Sequence, residues 1–221
     1  LGHEEELVLR LPAALRGGVD LDLGRQVGAG VLLLVRRQRG ELAVAEVELG
    51  VGVVHALADP LAVVGAGPAG LSFATTAASR GHDVTLFDAA AEIGGQFNIA
   101  KQVPGKEEFY ETLRYFKRQI ELQPRIQLKL NHTASFDELS KSSFDEIVVA
   151  TGVTPRQLEI EGIDHPKVLS YLDVLKERRP VAKRVAIIGA GGIGFDTAEY
   201  LSHAGESGSL NPEKFYNEWG I

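Results

Sequence analysis

Hydrophobic residues are spaced along this chain in three ways, and each spacing predicts an element. Unbroken apolar runs are the first. Leu61 to Val64 and Val185 to Ile188 hold no polar residue, as expected of short strands buried on both faces of a parallel sheet. Strand-like runs with polar positions are the second: Asp83 to Phe87, Ile126 to Leu130 and Asp145 to Ala150. Helical spacing is the third. Leu71, Ala74, Ala77 and Ala78 give a slim apolar face, and Gly81 is placed to end that helix. Phe109, Leu113, Phe116 and Ile120 form a stronger stripe after Pro104 and Gly105. Ser170 to Lys176 reads as one more short helix. Strands alternating with helices predict an α/β fold around a largely parallel sheet.

Both unbroken runs lead into a glycine-rich turn. Gly65, Gly67 and Gly70 follow the first, and Gly189, Gly191 and Gly194 follow the second. At this spacing the first glycine permits a tight turn. The second lets the backbone approach a pyrophosphate, and the third lets helix and strand pack closely. Pro68 suits the first helical turn, where its missing N–H is not needed. Free N–H groups at the helix start favour a phosphate anion. Asp88 ends the next strand, near the spacing expected of a carboxylate that accepts ribose hydroxyls, about 20 residues on. One glycine turn is a weak hint. Strand, three glycines, helix, strand and acid in order are a strong one, and a second copy suggests two dinucleotides.

Weaker signals surround these. Gly94 and Gly95 precede Gln96, so a loop there passes close to a ligand that Gln96 can bond; a plain turn has the same composition. Ala150, Thr151 and Gly152 form a small-residue turn where a strand ends, and Pro155 follows. Ligands of open α/β sheets lie beyond such strand ends. Lys106 is either a phosphate or ribose contact or an exposed lysine at a helix start. Glu107, Glu111, Arg114 and Arg118 read as solvated charge. His132 and His165 have no metal-ligand spacing, and no nucleophile–base arrangement is visible.

Composition narrows the function further. The 221 residues are 44% hydrophobic and 24% charged, ordinary for a globular protein. A formal charge of −7 argues against a nucleic-acid surface and gives no attraction to anionic lipid. With no cysteine, the chain has no disulfide framework, cysteine-ligated cluster or redox dithiol of its own. The longest apolar run, Val27 to Val35, is far short of a bilayer span. The first residue is Leu1, so a fragment, a processed product or a conceptual translation is expected.

Residues 1–60 stand apart. They use only Leu, Pro, His, Gln, Arg, Val, Ala, Asp, Glu and Gly. These ten types complete the set encoded by triplets beginning with G or C, which suggests a frame artefact of a GC-rich gene. A low-complexity extension or small domain is the alternative, since Val47, Leu49, Val51 and Val53 alternate like a strand. Lacking Ile and aromatics, the segment has little large apolar surface to offset ordering entropy. Three regions are therefore expected: an atypical segment over 1–60, disordered or artefactual, then two dinucleotide-binding units over 61–180 and 181–221, which the family resemblance carried by the residues beyond 60 implies to be an incomplete flavin-binding Rossmann-type domain and the truncated start of a nicotinamide-nucleotide domain.

Beyond residue 60 the chain closely resembles the flavin region of bacterial NADPH-dependent 2,4-dienoyl-CoA reductases. The match is carried by Leu61 to Gly70, by EIGGQFNIAKQVPGKEEFYETLR over 92–114, by GIDHPKVLSYLDVL over 162–175 and by VAIIGAGGIGFDT over 185–197. The resemblance implies a three-layer Rossmann-type flavoprotein and the cofactors FAD and NADPH. In that family an FMN-bearing barrel and a 4Fe-4S cluster precede this region, and neither is held by this chain. Gly65, Gly67, Pro68, Ala69 and Gly70 would cradle the FAD pyrophosphate, and Asp88 its ribose. Gly95, Gln96 and Lys106 would contact the same cofactor. Thr133 and Ala134 would face the adenine, and Ala150, Thr151 and Gly152 the flavin. Gly189, Gly191 and Gly194 would open the NADPH site. No catalytic side chain and no metal ligand is expected here.

The implied partners are small-molecule dinucleotides, without nucleic acid or membrane, in the cytoplasm. The implied function is electron input for reduction of 2,4-dienoyl-CoA in fatty acid β-oxidation. A related barrel-fused flavoprotein, of the trimethylamine dehydrogenase or NADH oxidase type, is the close alternative. A glutamate-synthase-like small subunit fits the fold alone, and an inert truncated gene product is the different class. The missing cysteines exclude a disulfide reductase.

Overall fold

The computed structural model describes residues 33–38, 41–44, 59–156 and 158–221. Among these residues six strands form one sheet: β1 Leu33–Gln38, β2 Glu41–Val44, β3 Pro60–Val64, β4 Asp83–Phe87, β5 Ile126–Lys129 and β6 Glu146–Val149. Their order is β2-β1-β6-β3-β4-β5. The run β6-β3-β4-β5 is parallel, and β1 joins it antiparallel to β6. Among the described residues seven α-helices accompany the strands: α1 Pro68–Ser79, α2 Phe97–Ala100, α3 Glu108–Leu122, α4 Phe136–Lys141, α5 Tyr171–Leu175, α6 Gly192–Ser202 and α7 Pro212–Trp219.

The apolar run at 61–64 becomes the central strand for a physical reason. A strand flanked by two others and covered on both faces must be apolar throughout. Leu61, Ala62 and Val63 are buried, Val63 completely. The two faces carry separate clusters. Leu61, Val63, Leu71, Ala74, Ala78, Val84 and Leu86 pack together under α1, with Phe116 and Ile120 of α3 against them. Ala62, Phe87, Leu139 and Ile147 pack on the other face, where α4 supplies Leu139. Helices therefore cover both faces of the sheet, giving the expected three-layer α/β architecture. Each large side chain removed from water here contributes about 1.5–3 kcal/mol.

Two local features follow from side-chain chemistry. Ser135 accepts the Glu138 N–H at 3.1 Å and caps α4. Ser170 and Asp173 form a reciprocal capping box at the start of α5.

Two findings differ from the sequence reading. Val185 to Ile188 form no strand. The run has no neighbouring strand among the described residues, and Val185, Ile187 and Ile188 are 47%, 40% and 75% exposed. An apolar run is a strand only when a ladder satisfies its backbone. The second difference lies within the compositionally odd segment. There β1 and β2 pair as an antiparallel hairpin and extend the sheet beyond β6. The rest of residues 1–58, including the Val47 to Val53 alternation, lies outside the described residues.

Candidate functional site

In the parallel part of the sheet β3 lies between β4 and β6: the chain runs from β3 through β4 to β5 on one side and then crosses back to β6 on the other. The crevice beyond the carboxyl end of such a strand is where open α/β sheets take ligands. The turn after β3 opens there. Gly65 has φ +108°, and a side chain on it would collide with the carbonyl of Ala150 at the end of β6. A side chain on Gly70 would run into the Gly65 carbonyl. Both positions are therefore restricted to glycine by backbone contact, and Gly65 by its positive φ as well. Gly67 is the N-cap residue of α1 in extended conformation, and Pro68 occupies the first turn.

The walls of the crevice come from the other strand ends. The Ala66 N–H donates to Asp88 Oδ2 at 2.6 Å, and the Ala90 N–H to Asp88 Oδ1 at 2.8 Å. Each carboxylate oxygen keeps a further lone pair. The Gly94 N–H donates to the Ala66 carbonyl at 2.7 Å, bringing the 92–96 loop over the turn. A Cβ on Gly95 would stand 3.1 Å from Gly67 Cα, so the two glycines meet face to face. Gln96 is exposed beside them. The His132 N–H bonds the Asp88 carbonyl at 2.9 Å and the Asn131 N–H the Ala90 carbonyl at 2.9 Å, which sets Thr133 and Ala134 near the end of β4. On the other side the Ala150 N–H bonds the Val64 carbonyl at 2.8 Å, with Thr151 and Gly152 exposed beyond it.

The cradle is unsatisfied where a ligand would sit. Among the described residues the N–H groups of Gly67, Ala69 and Gly70 reach no protein acceptor, whereas Leu71 already bonds the Gly67 carbonyl at 2.9 Å. Three donors without a protein partner at a helix start suit a diphosphate. Gathered here are Gly65, Gly67, Pro68, Ala69, Gly70, Asp88, Gly95, Gln96, Thr133, Ala134, Ala150, Thr151 and Gly152.

Lys106 is held elsewhere. Its Nζ pairs with both oxygens of Asp196 on α6 at 2.7 Å. The second glycine turn repeats the first in backbone form. Gly189 has φ +115°, and Gly191 caps α6 with φ −88° and ψ −177°, against −77° and −176° at Gly67. A side chain on Gly194 would strike the Gly189 carbonyl, as one on Gly70 strikes Gly65. The walls differ. A Cβ on Gly189 or Gly191 would meet nothing within 4 Å.

Sequence reasoning missed Asp196, Ser207 and Ser209 as partners of the 105–107 turn. The Gly105 N–H donates to Ser207 Oγ at 3.2 Å, and Ser209 Oγ donates to Glu107 Oε2 at 2.6 Å. Burial works against the Glu107 charge, but the hydroxyls of Ser209 and Ser207 and nearby main-chain N–H groups outweigh it and hold the carboxyl below its ordinary value. No periodicity reports contacts of such sequence separation. Among the described residues no group of metal-ligating side chains occurs, and no helix is long and apolar enough to cross a membrane.

The sequence pattern of the pyridine nucleotide-disulphide oxidoreductase family matches residues 59–210. This chain belongs to that family. The match covers both glycine turns. With no cysteine, the chain shares the family's nucleotide-binding architecture without a dithiol of its own. It is similar to the cinnamate reductase of Clostridium sporogenes, 39% identical over 144 residues, which are 65% of this chain and 21% of that protein. The NADH oxidase of Thermoanaerobacter brockii is 34% identical over 150 residues, 65% of this chain and 22% of that protein. Among solved structures, a 2-naphthoyl-CoA reductase in complex with 2-naphthoyl-CoA superposes with a TM-score of 0.60 at 37% identity, covering 66% of this chain and 22% of the other. The chain thus spans about a fifth of the length of the curated relatives it matches.

Proposed function

We propose that this family member is the electron-input region of a flavin-dependent reductase of the 2,4-dienoyl-CoA reductase type, taking hydride from NADPH into FAD. In this reading the turn at Gly65 holds the FAD diphosphate through the N–H groups of Gly67, Ala69 and Gly70. Asp88, oriented by Ala66 and Ala90, accepts the ribose hydroxyls. Gly95 and Gln96 close over the diphosphate. Thr133 and Ala134 flank the adenine, and Ala150 to Gly152 flank the isoalloxazine. The turn at Gly189 is the start of the NADPH site.

The observation that carries this reading is the glycine-only contact of Gly65 with Ala150 and of Gly70 with Gly65, which leaves no room for a side chain at either position of the turn. A bound flavin would supply the two-electron redox chemistry. In this reading the chain's own groups bind, orient and exclude water. Likeness to a cinnamate reductase and a 2-naphthoyl-CoA reductase supports an α,β-unsaturated or aromatic thioester or acid as the terminal acceptor of the whole protein. Likeness to an NADH oxidase supports NADH as the alternative donor.

The test is reconstitution. The full chain is incubated with FAD, freed of excess, and reduced without oxygen by NADPH or NADH. Uptake of FAD followed by bleaching with NADPH is expected. A chain that stays colourless overturns the flavin assignment, and faster bleaching with NADH reassigns the donor.

A further inference from the structure

The 105–107 turn touches the second nucleotide unit through three polar contacts, yet only one carries full charge on both sides. Lys106 Nζ lies 2.7 Å from each oxygen of Asp196, with the two side chains 39% and 29% exposed. Asp196 is on α6, about one turn below the N-terminus that Gly191 caps. Negative charge there favours the helix dipole, but it opposes an anion seated at the same helix end. The ammonium that cancels it comes from the first unit. Lys106 sits in a turn fixed by the buried Val103, whose carbonyl accepts the Lys106 N–H at 3.0 Å. Phe109, three residues on, stacks on Phe97 of α2 at 4.4 Å. That helix directly follows the Gly95–Gln96 loop over the first glycine turn.

We propose that Lys106 is a positioning residue for the second dinucleotide. It neutralises Asp196 so that the α6 N-terminus accepts a diphosphate, and it fixes that helix against the flavin unit. This rests on the proposed function, in which the Gly189 turn opens the nicotinamide-nucleotide site. The same lysine is then a counter-ion of the second site, and the FAD contacts are made by the other residues of the crevice.

The experiment uses the full chain loaded with FAD and titrated with NADP⁺ and NAD⁺. Lys106→Met leaves Asp196 uncompensated, and nucleotide affinity is expected to fall about tenfold, less at high salt. Lys106→Arg keeps the affinity. The decisive variant is Lys106→Met with Asp196→Asn. Removing the second charge is expected to return the affinity to within about threefold of the parent, since the repulsion is gone. A merely structural ion pair would move the urea midpoint of the FAD-loaded chain in step with the affinity, whereas charge compensation moves the affinity with little change in the midpoint.

The proposal is overturned if Lys106→Met leaves nucleotide binding unchanged, if the double variant is as weak as the single, or if the loss falls on FAD uptake instead. FAD uptake by the parent chain without any nucleotide binding overturns it as well. Failure of the parent chain to take up FAD sinks the underlying functional reading, and is therefore distinguishable.

Discussion

Asp88 Oδ2 accepts the Ala66 N–H at 2.6 Å, joining the end of β4 to the turn that follows β3. The carboxylate thus shapes the glycine turn before any ligand arrives. Its second oxygen accepts the Ala90 N–H at 2.8 Å, which fixes the orientation of the whole group. A residue that the spacing marks as a ribose acceptor is also a structural clamp.

Asp88→Asn therefore has two expected effects. The amide NH₂ faces a main-chain donor at one of the two positions, and the charge-assisted bonds are lost. Stability falls by about 1–3 kcal/mol, read by urea denaturation of the full chain. FAD affinity falls at least about tenfold, because a bidentate acceptor becomes half a donor. An unchanged urea midpoint shows that Asp88 does not clamp the turn.

The two glycine turns have nearly the same backbone but different surroundings, so the same substitution separates strain from collision. At Gly189 alanine meets open space and only the positive φ, costing about 1–2 kcal/mol. At Gly65 alanine adds contact with the Ala150 carbonyl, and Ala150, just past the end of β6, is tied to β3 by its own N–H bond to the Val64 carbonyl. Gly65→Ala is expected to exceed Gly189→Ala by at least about 2 kcal/mol and to abolish FAD uptake. Equal losses measured by denaturation would show that the wall at Ala150 yields.

These contrasts mark how far the sequence reaches. Leu61 to Val64, the glycine spacing and the Phe109 to Ile120 stripe were legible because burial on a repeating element writes a period into the chain. β3, α1 and α3 follow from them. The similar apolar run at 185–188 misleads, because a strand is defined by its neighbours and none lies beside it among the described residues. Lys106 was legible as a cation at a helix start, yet its partner Asp196 lies 90 positions away and no local pattern links them. The same limit hides the contacts of Ser207 and Ser209.

Acid should loosen α5 before the sheet. Hydrogen bonds from the Ser170 hydroxyl, then from Arg179 and the Ser170 N–H, bring the Asp173 carboxyl down from 3.8 to about 2. The folded value lies below the unfolded one. The capping box therefore contributes fully above about pH 4 and is lost as pH falls through about 2. Amide exchange in α5, corrected for intrinsic rates, should accelerate over that window. Asp173→Asn should remove the pH dependence and leave exchange in β3 unaltered. An α5 that stays protected at pH 2 contradicts the assignment.

The last prediction concerns the apolar run that failed to pair. Ile188 is 75% exposed, whereas Leu86 on β4 is fully buried against α1 and β3. Leu86→Ala removes packed methyl groups and should cost about 2–5 kcal/mol. Ile188→Lys replaces surface that water already reaches, and should change stability by no more than about 0.5 kcal/mol. It should also raise solubility, since Val185, Ile187, Ile188 and Phe195 are all exposed apolar residues within one short stretch. Both variants can be compared by urea denaturation and by light scattering at high concentration. A loss for Ile188→Lys that approaches the loss for Leu86→Ala would mean that 185–188 is covered in solution, and that a strand pairs with it there.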